Sequence, residues 1–331
     1  MPPSGPSIRR HYALSAHLGR RFGAGVRKIP LDAGFGCPNR DGTLSRTGCV
    51  FCNPEGSGTG LFAKGLSLAE QWERLPVRGK RPGVRYLAYL QAFSNTHGPV
   101  ERVRAVVDEA SALPGAAGLC LGTRPDCLDD AKLDAIAACP LPLVQLDLGL
   151  QSADDTTLTR IHRHHSAEDF ARAARAAAER GIEVCAHLVA GLPGEGEAAL
   201  LASIDFLNAL PVAGVKFHNC YVCRNTPLAG DWEREDYRPP ALEDYARWTA
   251  RALARLRPEV VVHRLVADPA PGELLAPAWA ADKNAALTAV RSALAEDDLW
   301  QGKHAPDTPC ATAPPPWFDP GNPPPPGEDR P

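Results

Sequence analysis

The sequence predicts an α/β fold: a partial (β/α)6 TIM-like barrel with a C-terminal α/β extension. Three observations predict it. Short apolar runs alternate with helix-period segments between residues 26 and 218, the pattern of βαβ units on a parallel sheet. Polar, glycine-rich and titratable residues gather just after each run, as on the rim where the catalytic loops of a β/α barrel lie. The length, 331 residues with 44% hydrophobic, suits one barrel and a large core.

The elements follow in order. Residues 1–24 are an N-terminal segment. Residues 26–31 form the first strand, and a glycine-rich loop with Cys37, Cys49 and Cys52 follows it. Residues 84–90 are the second strand, ending in the polar loop 91–96. Residues 100–113 place Val103, Val106, Val107 and Ala110 at helical spacing. A short strand at 118–121 ends in Gly122, Thr123, Arg124, Pro125 and Asp126. Asp129 or Asp130 caps the next helix, which Pro140 stops. The strand at 143–148 ends in Gly149, Leu150, Gln151 and Ser152. Ser166 with Asp169 reads as a capping box for a helix ending at Gly181. The strand at 182–189 ends in Gly191 and Gly194. A helix at 198–210 precedes the sixth strand, 214–218. The barrel thus spans residues 25–220. In the extension, residues 221–303, two amphipathic helices (239–256 and 277–299) flank a strand at 260–265. Residues 304–331 hold 11 of the 33 prolines, and such a tail has little apolar area to offset the entropy of ordering, so it is expected to be disordered or polyproline-like.

Charge and composition narrow the functions, without excluding a local basic groove. The net charge of −3 advertises no field for nucleic acid or an anionic membrane, and no apolar run approaches spanning length. No targeting core stands at the N-terminus. These features predict a cytoplasmic protein in a reducing compartment. Ten cysteines in a chain this long do not read as a disulfide framework.

The cysteine trio is the most specific motif. Its spacing is C-x11-C-x2-C, among Pro, Asn, Arg, Asp and Gly, which is poor company for plain core thiols. Three thiolates in one loop favour an iron–sulfur cluster or zinc over hard cations. A structural zinc site takes a fourth ligand, whereas three leave a position open for chemistry. Both metals fit the spacing.

Beyond the trio, the segments GFGCPNRDG (34–42), YLAYLQAF (86–93), GTRPD (122–126), LGLQS (148–152) and GLPGE (191–195) together resemble the radical S-adenosylmethionine (radical SAM) enzymes. The close match is the YhcC-type family, distant relatives of the elongator catalytic subunit, over roughly residues 10–300. The resemblance implies a 4Fe-4S cluster on Cys37, Cys49 and Cys52, with SAM on the fourth iron. It implies reductive cleavage of SAM to a 5′-deoxyadenosyl radical that abstracts hydrogen from a substrate. An electron donor such as flavodoxin or ferredoxin is implied, as is a substrate that is either a small molecule or RNA. No catalytic residue is assigned.

The resemblance also nominates cofactor-binding residues. Gln91 opens the loop that takes the place of a glycine-rich turn contacting the SAM amino group; its glycines are absent here. Gln151 matches a position that contacts the SAM ribose, or else satisfies strand-end backbone. Arg163 matches an arginine for the SAM carboxylate, suited to it by its planar fork, or else ends a helix in solvent. Relatives read Asn-Arg-Gly-His where this chain has His162, Arg163, His164 and His165. His187 points from its strand into the barrel, toward adenosine or substrate, or is a core histidine. Asp147 and Gly191 complete the set. Arg124 and Glu195 are further strand-end polar groups, Arg124 pairing with Asp126 or Asp147 in the plainer reading. Phe35 and Phe51 either shield the cluster or are core aromatics. Cys220 and Cys223 are read as nonligating thiols. The rival to a radical enzyme is a noncatalytic zinc or iron–sulfur redox sensor. Acetyl transfer, by analogy with the elongator subunit, has no room for its second domain.

Overall fold

A computed structural model describes residues 9–53, 56, 58–74, 80–306 and 313–319. Its frame is a single parallel sheet of seven strands, curled into a half-barrel. The strands are β1 (Gly25–Leu31), β2 (Val84–Leu90), β3 (Ala116–Thr123), β4 (Val144–Gln151), β5 (Glu183–Ala190), β6 (Gly214–Asn219) and β8 (Val261–Arg264), paired in that order. Before β8 comes β7 (Val222–Cys223), which forms a small antiparallel pair with β9 (Leu274–Ala276).

Helices cover the outer face. They are α1 (Leu14–Phe22), α2 (Leu68–Arg74), α3 (Val100–Ser111), α4 (Asp130–Ala137), α5 (Asp155–Arg160), α6 (Ala167–Glu179), α7 (Glu197–Asn208), α8 (Pro227–Glu233), α9 (Leu242–Arg255) and α10 (Lys283–Glu296). The caps carry the boundaries. Asp129 accepts from the Lys132 N–H at the start of α4, and Ser166 with Asp169 forms the full capping box of α6. Strands such as β4 and β5 are buried on both faces, as parallel strands under helices must be. One continuous core runs from Ile29 and Leu31 of β1 to Val262 of β8 and Val290 of α10.

Two expectations change. First, the extension does not stand apart: its strand β8 pairs parallel with β6 and makes the sheet seven-stranded. Second, the tail is not wholly undocked. Phe318 is fully buried, packed with Tyr12, Ala16 and Val261, and its ring lies parallel to that of Tyr12 at 6.2 Å. Trp317 and Phe318 supply the apolar area that a proline run lacks. His304 also donates its N–H to Ala254 O at 2.7 Å, so packing does not stop at residue 303. Residues 307–312 and 320–331 lie outside the described residues.

The N-terminal segment is pinned to the same edge. Ala13 bridges Val262, and the Gln301 amide clips Tyr12 N–H (2.9 Å) to Val260 O (2.7 Å).

Candidate active site

The loop after β1 is shaped by local turns. Arg40 and Asp41 donate their N–H groups to Cys37 O, and Cys52 donates to Cys49 O. Gly48 has φ +75, and a side chain there would meet the Arg40 guanidinium at 3.2 Å. Glycine is needed at that crossing. The Arg40 guanidinium in turn holds Cys52 O (3.0 Å) and Asn53 O (2.6 Å). Leu228 and Ile161 anchor Val50 by backbone bonds, so the loop is tied to α8 and α5.

Cys37, Cys49 and Cys52 line a cavity of about 420 Å³, within the usual range for small-ligand sites. Cys49 is buried and the other two are half-buried. Its sulfur receives Asn39 Nδ2 at 3.4 Å and Arg163 Nη1 at 3.6 Å. Donors to sulfur favour the thiolate that a metal needs. Burial pushes the Cys37 and Cys52 thiols up, so ligation would release their protons. Arg124 Nη1 is buried without a hydrogen-bond partner among the described residues, and its chain is otherwise fixed. It forks onto Asp126 (2.9 and 2.8 Å) and donates to Arg163 O (2.7 Å). Three thiols, sulfur-directed donors and an orphaned guanidinium nitrogen on one wall fit a thiolate-held cluster with an anionic ligand beside it.

Most nominated residues converge on this cavity. Gln91, Asp147, Gln151, Arg163 and His187 all line it. Gln151 has φ +75, uncommon for a side chain other than glycine, asparagine or aspartate. A register shift between Gly149 and Gln151 marks a bulge, the device that re-aims side chains near sites. Arg163 is not a solvent-exposed helix end. It is 8% exposed, bonded through Nε to His165 Nε2 (2.9 Å) and through Nη2 to Gly149 O (3.1 Å). The His-Arg-His-His sequence therefore builds an arginine mount: His162 and His164 take positive φ, and His162 O accepts from Asn39.

Loop 91–96 is rigid rather than glycine-rich. Asn95 Nδ2 serves Leu90 O, Ala92 O and Gly122 O, and Ser94 and Thr96 bond to Thr123. Only Gln91 and Phe93 of this loop face the cavity.

Two nominations read differently in three dimensions. Gly191 is not among the cavity-lining residues. Its φ of +83 and the Pro240 ring, 2.6 Å from where a Cβ would stand, account for glycine, and its carbonyl accepts from Tyr237 Oη at 2.6 Å. Asp147 sits on the cavity floor with its side chain fully covered. Lys216 Nζ (2.5 Å) and Gln145 Nε2 (2.6 Å) already occupy its oxygens, and Lys28 Nζ stands 3.9 Å away. Burial pushes its pKa up, but the two ammonium groups outweigh this and hold it well below the usual carboxylate range. Asp147, Cys185 and His263 bring ligand atoms within 4.8 Å of one another, yet the adjacent ammonium groups make this floor a poor home for a cation. Arg124 pairs with Asp126, as one plainer reading had it. Phe35 belongs to the core with Arg102 over its ring, whereas Phe51 lines the cavity. Cys220 and Cys223 are buried and both thiols are pushed up to about 12, chiefly by burial. His187 is held down to about 4 by burial and then by Lys216, so its imidazole is neutral.

Sequence reasoning missed Tyr89, Lys216, His218 and Arg264, all on the wall. A signal existed: Lys216 and His218 share one face of an otherwise apolar strand, two residues apart.

Fold and site together define a protein with a three-thiol metal site at the mouth of a partial barrel. The model of the radical SAM superfamily matches residues 34–207, and that of the radical SAM C-terminal domain matches residues 212–296. Protein YhcC of Escherichia coli K12 is 40% identical over 267 residues, 79% of this chain and 85% of its own. The uncharacterized protein YtqA of Bacillus subtilis 168 is 33% identical over 304 residues, 91% and 94% of the two chains. A solved structure of Elp3 from Methanocaldococcus infernus, lacking residues 1–46, shares the fold at TM-score 0.64. It is 17% identical and covers 84% of this chain and 64% of its own. The chain belongs to the radical SAM superfamily, in its YhcC-type family, whose chemistry uses a 4Fe-4S cluster and SAM.

Proposed function

We propose that this radical SAM enzyme uses the cluster on Cys37, Cys49 and Cys52 to generate a radical that takes hydrogen from a small substrate in the same cavity. When bound, the cluster and SAM supply reductive cleavage of the SAM C–S bond to methionine and a 5′-deoxyadenosyl radical. The observation that carries the reading is the convergence of the thiols with Arg163 and Gln151 on one cavity. Arg163 stands between Cys49 Sγ and Gly149 O, where a guanidinium can fork onto a carboxylate. Gln151 is presented to the cavity by its bulge and offers an amide to ribose hydroxyls. Gln91 and Phe93, on their rigid loop, face the same space. Neutral His187 can donate or accept without adding charge. Phe51 adds an apolar surface to the same wall.

A one-electron donor, flavodoxin or ferredoxin, reduces the cluster. The substrate is a small molecule in preference to RNA, since the net charge of −3 offers no broad field for a polyanion. No helix among the described residues is long and apolar enough to cross a membrane. The nine described cysteines are free thiols, in keeping with a reducing, cytoplasmic setting.

The test is anaerobic reconstitution. About four irons and four sulfides per chain are expected for one cubane. With dithionite, SAM should change the electron paramagnetic resonance of the reduced cluster, and 5′-deoxyadenosine and methionine should form slowly. A protein that holds one zinc and takes up no iron, or a signal indifferent to saturating SAM, defeats the proposal.

A further inference from the structure

Arg264, at the end of β8, lines the cavity, and among the described residues it has neither a hydrogen-bond nor an ion-pair partner. The acidic groups on the same wall are committed elsewhere. Asp147 binds Lys216 at 2.5 Å and Asp268 binds Lys283 at 2.5 Å. Glu273 accepts from Asn53 Nδ2 (2.6 Å) and Tyr221 Oη (3.2 Å). A guanidinium cannot shed its charge, so a half-buried arginine left without an anion is a binding group awaiting one.

Its position is built. The register of β6 and β8 shifts so that Val215 faces Val262 but Lys216 faces Arg264. The extra residue is a bulge that re-aims Arg264 at the rim. Beside it lie His187 and His218, stacked at 5.2 Å. His218 Nε2 is buried without a hydrogen-bond partner among the described residues, and His187 Nε2 stands 3.8 Å from Asp147 Oδ1, beyond an ordinary hydrogen bond. Burial holds both rings neutral first, with Lys216 and then Arg264 adding to it at His187, and His187, Arg264 and Lys216 at His218. The cluster loop follows β1, the first strand of the sheet, and Arg264 ends the last. The two groups therefore face one cavity from opposite ends of the sheet order.

We infer that Arg264 is the substrate-anchoring residue, and that the substrate is a small molecule with an oxyanion group, a carboxylate or phosphate, held by the Arg264 fork. The His187–His218 pair would bond polar atoms next to that group. This rests on the radical SAM reading, in which Arg163 and the cluster take the opposite wall.

The experiment uses the full-length, cluster-loaded, dithionite-reduced protein with SAM present. Inorganic phosphate and, separately, acetate are titrated while phosphorus or methyl-proton relaxation is followed. The reduced cluster is paramagnetic and speeds relaxation of an anion resting in the cavity. One of the two anions should show saturable enhancement, and which one does so names the oxyanion. Arg264→Gln should raise its dissociation constant about ten-fold or more, the scale of losing one charge-assisted hydrogen bond. Arg264→Lys should recover part of the loss. Iron content and the SAM-induced resonance change should be those of the wild type in both variants. Equal enhancement in wild type and Arg264→Gln, or none for either anion, overturns the inference. Loss of the SAM response in Arg264→Gln would assign the residue to SAM and overturn it too. So would an Arg264-dependent affinity for a short single-stranded RNA without any for the free anions. A wild-type protein deaf to SAM would instead sink the radical SAM reading itself, leaving the anion titration a separate result.

Discussion

Gly149→Ala separates folding from function at this site. A Cβ on Gly149 would land on Arg163 Nη2 and 2.6 Å from Gln151 Nε2. Gly149 does not have a left-handed φ, so alanine suits the backbone. Both obstacles are ends of flexible side chains, which can move. Arg163 Nη2 must retreat by about 1 Å to reach ordinary contact distance. Its 3.1 Å bond to Gly149 O then passes about 3.5 Å and is lost. Alanine also lowers the entropy of the unfolded chain by about 0.4–1 kcal/mol, which offsets part of the lost bond. Net stability should therefore stay within about 1 kcal/mol of wild type.

The SAM site should fare worse. A charge-assisted hydrogen bond misplaced at Arg163 costs about 1.5–3 kcal/mol, or about ten- to a hundred-fold in SAM affinity. The assay is a SAM titration of the reduced cluster's resonance signal, with iron content and urea unfolding as controls. Iron should stay near four per chain, because no thiol moves. In an Arg163→Ala background the same substitution should add little, since the two act through one contact. Wild-type SAM affinity in Gly149→Ala would refute the placement of Arg163 on SAM, and loss of the cluster would refute the claim that the thiol loop is independent of this contact.

Further outcomes follow from the same geometry. Cys37→Ala, Cys49→Ala or Cys52→Ala should each abolish the cluster, whereas Cys220→Ala and Cys223→Ala should keep about four irons; a lost iron signal in the latter pair would show a second metal site. His187 and His11 are held down to about 4, burial first, with Lys216 and Arg291 respectively adding to it. Unfolded histidine titrates near 6.5, so below that pH the unfolded chain takes up protons that the folded chain refuses. Stability should thus fall between pH 6.5 and about 4; a urea midpoint unchanged from pH 7 to 5 would mean these imidazoles are not buried neutral. Phe318→Ala should cost about 3 kcal/mol in urea unfolding, and ending the chain at residue 303 at least as much; an unchanged midpoint would mean the segment is not docked in solution. A fragment ending at residue 220 leaves β6 as an open edge and strips α9 from the core, so it should aggregate; a soluble, cooperatively unfolding fragment would contradict the shared core.

Much of this was legible in the sequence because the signals were local. The strands of the barrel, the Asp129 cap and the Ser166 capping box each rest on a few neighbouring residues, and each was found. The thiol loop was legible because its neighbours are wrong for a core. The misses share a cause. Gly191 was placed by motif, but whether a strand-end glycine faces a ligand or a proline ring depends on Pro240, about fifty residues away in the chain. Asp147 was read as serving SAM, substrate or Arg124, and its actual partners, Lys28 and Lys216, come from two other strands. Arg264 was hidden because its strand, only four residues long, joins the sheet by a pairing no local pattern announces. Phe318 was outvoted by the prolines around it, yet one buried ring is enough to hold a short segment.

Charge is distributed along the sheet in a way that explains why the C-terminal extension cannot be a detachable appendage. The floor has no negative charge to spare, since Asp147 is shared between Lys216 and Lys28. The loop after β1 contributes the thiols, and Arg124 after β3 and Arg163 after α5 set two guanidinium groups on the same cavity. Without β8, the far wall would offer Lys216, which is spent on Asp147, and two neutral imidazoles, and nothing there could hold an anion. The extension supplies the missing cation, and the bulge between β6 and β8 sets it beside Lys216 rather than one residue away. Variation among relatives in what they act upon should therefore concentrate on β8 and the loop to β9, while the thiol loop, Gly149 and Arg163 answer to a common chemistry.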